Sequence, residues 1–323
     1  MHGMFDAAGR LYDKAIGRRT DEADLDAVIG WPDERLSVLF ACTDQIRRHF
    51  FDDAVEPCAI MNIKAGGCSE DCAFCSQSSH NSAKVTVKGL ATPREIGDAC
   101  NAARKRGLAF GVVSSGRKLT TRQIQQLAEV LRDCDGPIHA SLGILSDEEF
   151  SLVRDAGVVC YNHNLETSRR FFDSIVTTHT YDERVATVRR AKRAGMRVCC
   201  GGIFGMGESW EDRKAMCVEL RRLNVDTVPI NFLNPIAGTR LRPSDESALD
   251  LLKIIALFRI GLPDRRIKVC GGRELNLGAL QALMFHAGAN GYISGDYLTT
   301  AGQSVDTDDT MIRMLGLRKK EAE

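Results

Sequence analysis

The chain has no apolar run of the roughly 20 residues that a membrane-spanning helix needs, so no such helix is expected. It also has no block of like charge, since 43 Lys and Arg balance 43 Asp and Glu. That balance argues against a nucleic acid held mainly through its phosphates and against an anionic membrane surface, and it makes small molecules the expected partners. The first ten residues are interrupted by charges and lack the apolar core and small-residue cleavage pattern of a secretory signal, so a cytoplasmic protein is expected. No linker breaks the chain, and 323 residues with 44% hydrophobic content can bury a large core.

Cysteine is not scarce. The 12 cysteines are too sparse for a disulfide scaffold at this length, and their number points to metal or redox use. Cys42, Cys100, Cys134 and Cys217 fall in amphipathic helical stretches, where a thiol serves as a small buried hydrophobe. Cys68, Cys72 and Cys75 are different: they are spaced C-x3-C-x2-C, with Phe74 beside the last thiol. Three thiolates within eight residues can hold three irons of a cubane and leave the fourth open to bind something else. The competing reading is a Cys3His zinc site completed by His80. Structural zinc generally staples modules that lack a core of their own, which this chain does not need.

Strand-like runs at 59–64, 109–115, 137–143, 158–163, 196–203, 226–232, 266–270 and 291–294 alternate with helical ones. Capping boxes beginning at Thr92, Ser146 and Thr180 mark helix starts. Gly107, Gly157 and Gly195 follow helical runs and precede apolar strands, as left-handed C′ residues do. Eight βα units predict an α/β fold, a parallel (βα)8 TIM-type barrel in a single domain over 1–323, with residues 1–55 as a helical N-terminal extension; a doubly wound open sheet is the alternative. In a barrel the three-cysteine loop follows the first strand on the face where functional loops lie.

A C-x3-C-x-(aromatic)-C loop after the first strand resembles the signature of the radical S-adenosylmethionine superfamily. The Gly201–Glu208 run, G-x-I-x-G-x-x-E, is similar to the superfamily's adenine-pocket segment. The resemblance implies a [4Fe-4S] cluster on Cys68, Cys72 and Cys75. It also implies S-adenosylmethionine bound at the open iron, with Phe74 and Ile203 at the adenine. Segments 63–72, 161–167, 177–184, 198–208, 229–233, 271–274 and 287–290 together resemble the biotin synthases. That resemblance implies radical insertion of sulfur into dethiobiotin, homodimerisation, and a reduced flavodoxin or ferredoxin as electron donor. By the same resemblance Asn164 and Glu166 bond the ribose hydroxyls, Glu166 standing where the family often has Asp. Arg184 meets the methionine carboxylate, Asn231 with Asn164 holds the ureido ring, and Thr299 and Thr300 face the substrate's carboxylate tail.

The chain departs from that family at its second cluster. Biotin synthases commonly hold a [2Fe-2S] cluster with cysteines on strands 2, 3 and 5 and an arginine on strand 7, and the matching positions here are Gly111, His139, Cys199 and Lys268. Strand alternation points Lys268 and Cys270 into the barrel, as it does Cys199, and turns Cys200 outward unless the strand is bulged. Cys58, at the expected start of strand 1, matches a position beside the family's auxiliary cluster. Cys58, Cys199 and Cys270 are therefore expected to hold an auxiliary iron-sulfur cluster, of cubane type with an exchangeable extra sulfide, with Cys200 or His139 as alternative ligands. Cys160 is expected to pack. The alternatives are inert thiols in a biotin-synthase-like radical enzyme without sulfur insertion, or an iron-sulfur scaffold that does no chemistry.

Overall fold

Helix starts in this chain are set by side chains that accept from the free N–H groups of the first turn. The computed structural model, which describes residues 2–243 and 245–320, has the capping boxes at Thr92, Ser146 and Thr180 and further ones at Asp21, Thr120, Ser209 and Ser247. Gly107, Gly157 and Gly195 all have positive φ, as a left-handed helix exit requires.

Three helices come first: α1 (His2–Ile16), α2 (Glu22–Ile29) and α3 (Leu36–Phe51). The chain then runs β1 (Ala54–Lys64), α4 (Pro93–Lys105), β2 (Ala109–Ser114), α5 (Thr121–Arg132), β3 (Ile138–Ser141), α6 (Asp147–Asp155) and β4 (Val158–Asn162). Next come α7 (Arg169–Phe172), α8 (Tyr181–Arg193), β5 (Arg197–Cys199), β6 (Gly202–Phe204), α9 (Trp210–Arg222), β7 (Thr227–Phe232) and α10 (Ala248–Gly261). The last elements are β8 (Arg266–Val269), α11 (Arg273–Leu277), α12 (Leu283–His286), β9 (Gly291–Ile293), α13 (Val305–Met314) and β10 (Arg318–Lys319).

All strand pairs are parallel, in the order β1-β2-β3-β4-β5-β7-β8-β9, and β9 returns to β1 to close an eight-membered barrel. The open sheet is thereby excluded. The fifth stave is two short pieces, β5 and β6, both paired with β7. The expected continuous strand over 196–203 breaks at Cys200 and Gly201, where neighbouring backbone comes so close that only glycine fits at 201 and 202. A Cβ on Gly201 would sit 2.0 Å from the Pro229 carbonyl oxygen, and one on Gly202 2.2 Å from that of Glu166. Pro229 also offers β5 no N–H.

β1 is longer than expected, because Ala54 and Val55 pair with β10 and residues 56–58 pair with β9. Cys58 is thus in mid-strand rather than at a strand start. The pairing partners come from the far end of the chain, which no local pattern reveals. Cys134 also needs correction: it lies just beyond α5 and is half-buried, whereas Cys42, Cys100 and Cys217 are buried within helices.

Alternation sorts each strand between two environments. Val198, Ile230, Ile267 and Val269 point outward and are fully buried under the helices, each contributing about 1.5–3 kcal/mol by leaving water. Their neighbours Cys199, Asn231, Lys268 and Cys270 point inward. No helix among the described residues is long and apolar enough to cross a membrane.

Candidate active site

Gly66 and Gly67, with φ of 69° and 60°, turn the chain out of β1 into the thiol loop, a conformation other residues adopt only at a cost. Backbone bonds then fix the loop: Cys68 N–H donates to Gln77 O (3.0 Å), Ser79 N–H to Cys68 O (2.8 Å) and Cys75 N–H to Cys72 O (3.1 Å). Asn81 Nδ2 donates to the carbonyls of Cys72 and Cys75. Asp71 clamps the loop to the segment before α8 by accepting from the backbone N–H and hydroxyl of both Thr177 and Thr178.

Cys68, Cys72 and Cys75 line one lobe of the cavity at the C-terminal mouth of the barrel, together with Glu166, His179 and Arg184. Burial pushes the Cys72 thiol up to about 12 and raises Cys75 as well. Among the described residues no three His, Cys, Asp or Glu side chains meet at a single-ion site, and His80 Nε2 lies 3.0 Å from Ser69 O. The Cys3His zinc site is not assembled. Three thiols lining one lobe fit three ligands of a multi-iron group.

The chain leaving β4 supplies Asn164 and Glu166. Glu166 has a positive φ of 71°, held in place where its N–H donates to Gly201 O and its carbonyl accepts from Ile203 N–H. Asn164 Nδ2 donates to Glu166 Oε2 (3.3 Å), and its Oδ1 accepts from Gly201 N–H (3.2 Å). Arg184 reaches in from α8, donating through Nη1 to Asn164 O (2.8 Å) and lying 3.5 Å from Glu166 Oε1. Burial raises the Glu166 carboxyl, and Arg184 opposes that rise.

A second lobe is lined by Phe74, Cys75, Ile203, Asn231, Thr299 and Thr300. Asn231 is pinned at both ends of its amide, Nδ2 donating to Gly202 O and Oδ1 accepting from Gly271 N–H, each at 3.0 Å. One N–H and one lone pair remain to it. Thr299 shares a 3.0 Å hydroxyl contact with Ser76, which joins the β9 side of the mouth to the thiol loop.

The third lobe is the inner chamber. Cys58, Cys199 and Cys270 line it with His139, Lys268, Gly111, Asn164 and Asn231. Lys268 Nζ donates to Cys58 Sγ (2.7 Å) and to Glu56 Oε1 (2.6 Å). Burial opposes the charge on Glu56, but Lys268 and Arg266 outweigh it and hold the carboxyl at about 2. Burial pushes Cys270 up to about 12, raises Cys58 and Cys199, and drives His139 down to about 3. A bound metal would displace the thiol protons, whereas neutral His139 offers a ring lone pair. A Cβ on Gly111 would meet Ile60 Cγ2 at 3.1 Å, so a cysteine at this position would need its neighbour to give. Cys200 packs with the apolar core outside the barrel and is removed from the ligand candidates, whereas His139 remains in the chamber. Cys160 is buried and is not among the chamber-lining residues, although it interacts electrostatically with Cys199.

The lobes adjoin: Glu166 and Arg184 border the thiol-loop lobe and the inner chamber, and Asn231 borders the inner chamber and the second lobe. Sequence reasoning did not single out Glu70 and His179 as site residues. His179 Nδ1 is hydrogen-bonded to Glu70 and Nε2 accepts from Arg184, so the pair couples the thiol loop to Arg184. Both lie inside segments that carried the resemblance, but only the tertiary fold brings them together. Glu208, the last residue of the G-x-I-x-G-x-x-E run, accepts from the N–H groups of Gly205 and Met206 and pairs with Arg213, so its role is to shape the loop.

Comparison with known proteins gives two family matches, "Radical SAM superfamily" over residues 62–220 and "Biotin and Thiamin Synthesis associated domain" over residues 229–318. The chain is 45% identical to biotin synthase of Geobacter sulfurreducens over 88% of its own length and 89% of that protein's. It is 44% identical to biotin synthase of Syntrophotalea carbinolica over 95% and 97%. Among solved structures it resembles methylornithine synthase, with a TM-score of 0.85, 22% identity and coverage of 96% and 97%. It also resembles a maturase of [FeFe]-hydrogenase, with a TM-score of 0.84, 16% identity and coverage of 99% and 76%. At those identities the structural likeness concerns the fold.

Proposed function

The chain belongs to the biotin synthase family, and from that premise we propose how its residues divide the work of inserting sulfur into dethiobiotin. It is a radical S-adenosylmethionine sulfurtransferase. With S-adenosylmethionine bound, a [4Fe-4S] cluster supplies one-electron cleavage of the sulfonium, and hence the power to abstract hydrogen from saturated carbon.

Cys68, Cys72 and Cys75 hold that cluster. Arg184 orients the methionine carboxylate, and its position is supported by two acceptors, Asn164 O and His179 Nε2, that leave Nη2 to face a ligand. Asn164 and Glu166 take the ribose hydroxyls, and Phe74 and Ile203 flank the adenine. Asn231 binds the ureido ring with its remaining N–H and lone pair, helped by Asn164, and a rigid amide suits a neutral cyclic urea that needs both a donor and an acceptor. Thr299 and Thr300 receive the substrate's carboxylate tail.

Cys58, Cys199 and Cys270 hold an auxiliary cubane that supplies the inserted sulfur. The observation that carries this reading is that the three thiols line one chamber, and that Glu166 and Arg184 border both it and the lobe of the other three. Lys268 stands where the family has its arginine ligand, and its donation to Cys58 favours the thiolate form that a metal requires. Cytoplasmic residence, homodimerisation and reduction by a flavodoxin or ferredoxin are carried by the family resemblance.

The test is the iron content of an anaerobically reconstituted variant with Cys68→Ala, Cys72→Ala and Cys75→Ala, read by Mössbauer spectroscopy. About four irons per chain remaining as a cubane supports the auxiliary cluster. About two would mean a rhombic cluster on other ligands, and none would remove the proposed sulfur source.

A further inference from the structure

The second lobe carries no charge of its own: among the described residues, no Asp, Glu, Lys, Arg or His side chain lines it. Phe74, Ile203, Phe232, Leu233 and Ile236 make its walls largely apolar. A substrate tail that ends in a carboxylate meets no cation in such a lobe, and its charge has to be held by neutral donors.

The side-chain hydroxyls that line the lobe are those of Ser76, Tyr297, Thr299 and Thr300. The Tyr297 hydroxyl is already engaged, 2.9 Å from Glu274 Oε1 and 3.0 Å from Cys270 O. Ser76 directly follows Cys75 and is buried, with its Oγ 3.0 Å from Thr299 Oγ1. The backbone on either side of Thr299 is tethered as well. Asn62 Nδ2, on β1, donates to Leu298 O (3.2 Å) and to Gln77 Oε1 (3.1 Å), and Gln77 Oε1 also accepts from Gly66 N–H (3.0 Å). Tyr297 N–H donates to Thr300 O (3.0 Å). The two hydroxyls therefore meet between a thiol loop and a tail segment that β1 ties together.

Each hydroxyl has one hydrogen to give. In the Ser76–Thr299 contact either oxygen can be the donor, so the pair has two directions open to it. A carboxylate only accepts, so its arrival commits the Thr299 hydrogen to the tail and leaves Ser76 to donate to Thr299 Oγ1. Hydrogen bonds aligned in one direction polarise each other, and a lobe of low dielectric strengthens both. On the reading that Thr299 and Thr300 receive the tail, on which this inference rests, we propose that Ser76 is a positioning residue for the substrate's carboxylate. It donates to Thr299 and so turns and polarises the hydroxyl that holds the tail. No covalent bond forms or breaks, and each proton stays on its own oxygen.

The experiment measures equilibrium binding of dethiobiotin and of its methyl ester, which lacks the charge, to the reconstituted holoenzyme. The proteins compared are the parent, Ser76→Ala, Thr299→Val and the double variant. In Ser76→Ala the affinity for dethiobiotin is expected to fall about fivefold or more, and that for the ester by less than about twofold. In the Thr299→Val background, adding Ser76→Ala is expected to change neither affinity, because the hydroxyl it acts on is gone. The ratio of acid to ester affinity is taken within each variant, so a variant that holds less cluster still reads the relay. An unchanged ratio in Ser76→Ala, or the same loss of dethiobiotin affinity from Ser76→Ala with and without Thr299, would overturn the proposal. A Thr299→Val, Thr300→Val variant that binds dethiobiotin as the parent does would instead overturn the tail reading beneath it.

Discussion

Arg184 Nε donates to His179 Nε2 across 3.0 Å, and that bond decides where the proton of a buried imidazole sits. With Nε2 accepting, the hydrogen is on Nδ1 and is donated to Glu70, two residues before Cys72. Arg184 also lies against Glu166, so one chain of hydrogen bonds runs from the thiol loop to the end of β4. The two halves of the site are held in register by it.

Replacement of His179 by Phe removes the acceptor of Arg184 Nε and the donor to Glu70 while leaving all three loop thiols in place. Iron content is expected to be unchanged, and S-adenosylmethionine affinity to fall by about tenfold, the effect of freeing one buried charged group. Equilibrium binding to the reconstituted protein checks this. Unaltered affinity would mean that Arg184 does not depend on His179 for its position.

Cys200 and Cys270 differ in the face they present, so they should differ in effect. Cys270→Ser is expected to remove an auxiliary cluster of about four irons and abolish biotin formation while cleavage of S-adenosylmethionine continues. Cys200→Ala, on the helix side of the barrel, is expected to keep both activities and lose only about 1 kcal/mol of stability from the core. Iron analysis and product assay of the two variants side by side separate a ligand from a packing thiol.

Gly202 and Gly195 test steric crowding against backbone conformation. An added methyl at Gly202 points within 2.2 Å of Glu166 O, and Gly202→Ala is expected to cost about 3 kcal/mol or more. Gly195 has nothing within 4 Å of an added Cβ but a φ of 79°, so Gly195→Ala is expected to cost only about 1 kcal/mol. Denaturant midpoints of the apo-proteins give the comparison.

Asp212 joins the start of α7 to the start of α9, accepting from Ser168, Ser209 and Arg170. Burial would raise its carboxyl, but these bonds outweigh burial and hold it at about 2, below the ordinary 3.8. A depressed carboxyl stabilises fully above its unfolded value and loses that contribution as pH falls from 3.8 through about 2. Asp212→Asn is therefore expected to destabilise the apo-protein by about 1–3 kcal/mol at neutral pH, with the gap to the parent closing over that acidic window. Unfolding curves at neutral pH and at the acid end test it, and a gap independent of pH would refute the assignment.

The barrel was legible in the sequence because its signals are local: capping boxes, glycine exits and alternation each act over a few residues. Alternation likewise indicated that Lys268 and Cys270 share a face and that Cys199 and Cys200 part, as they do. The break between β5 and β6 was not legible, because it lies where Pro229 of β7 and Glu166 in the chain after β4 approach closely. The mid-strand position of Cys58 depends on pairing with residues more than 200 positions away.

By itself, then, the sequence determined the order of elements, the spacing of the loop thiols and the face each inward residue presents, since all of these follow from covalent geometry and near neighbours. Only the tertiary structure decided that Lys268, in the chamber with Cys199 and Cys270, bonds both Cys58 and Glu56, and that Glu70, His179, Arg184 and Glu166 form one chain. Closing the barrel brings distant strands side by side, and burial then makes each polar group find a partner among whichever residues closure has placed within reach.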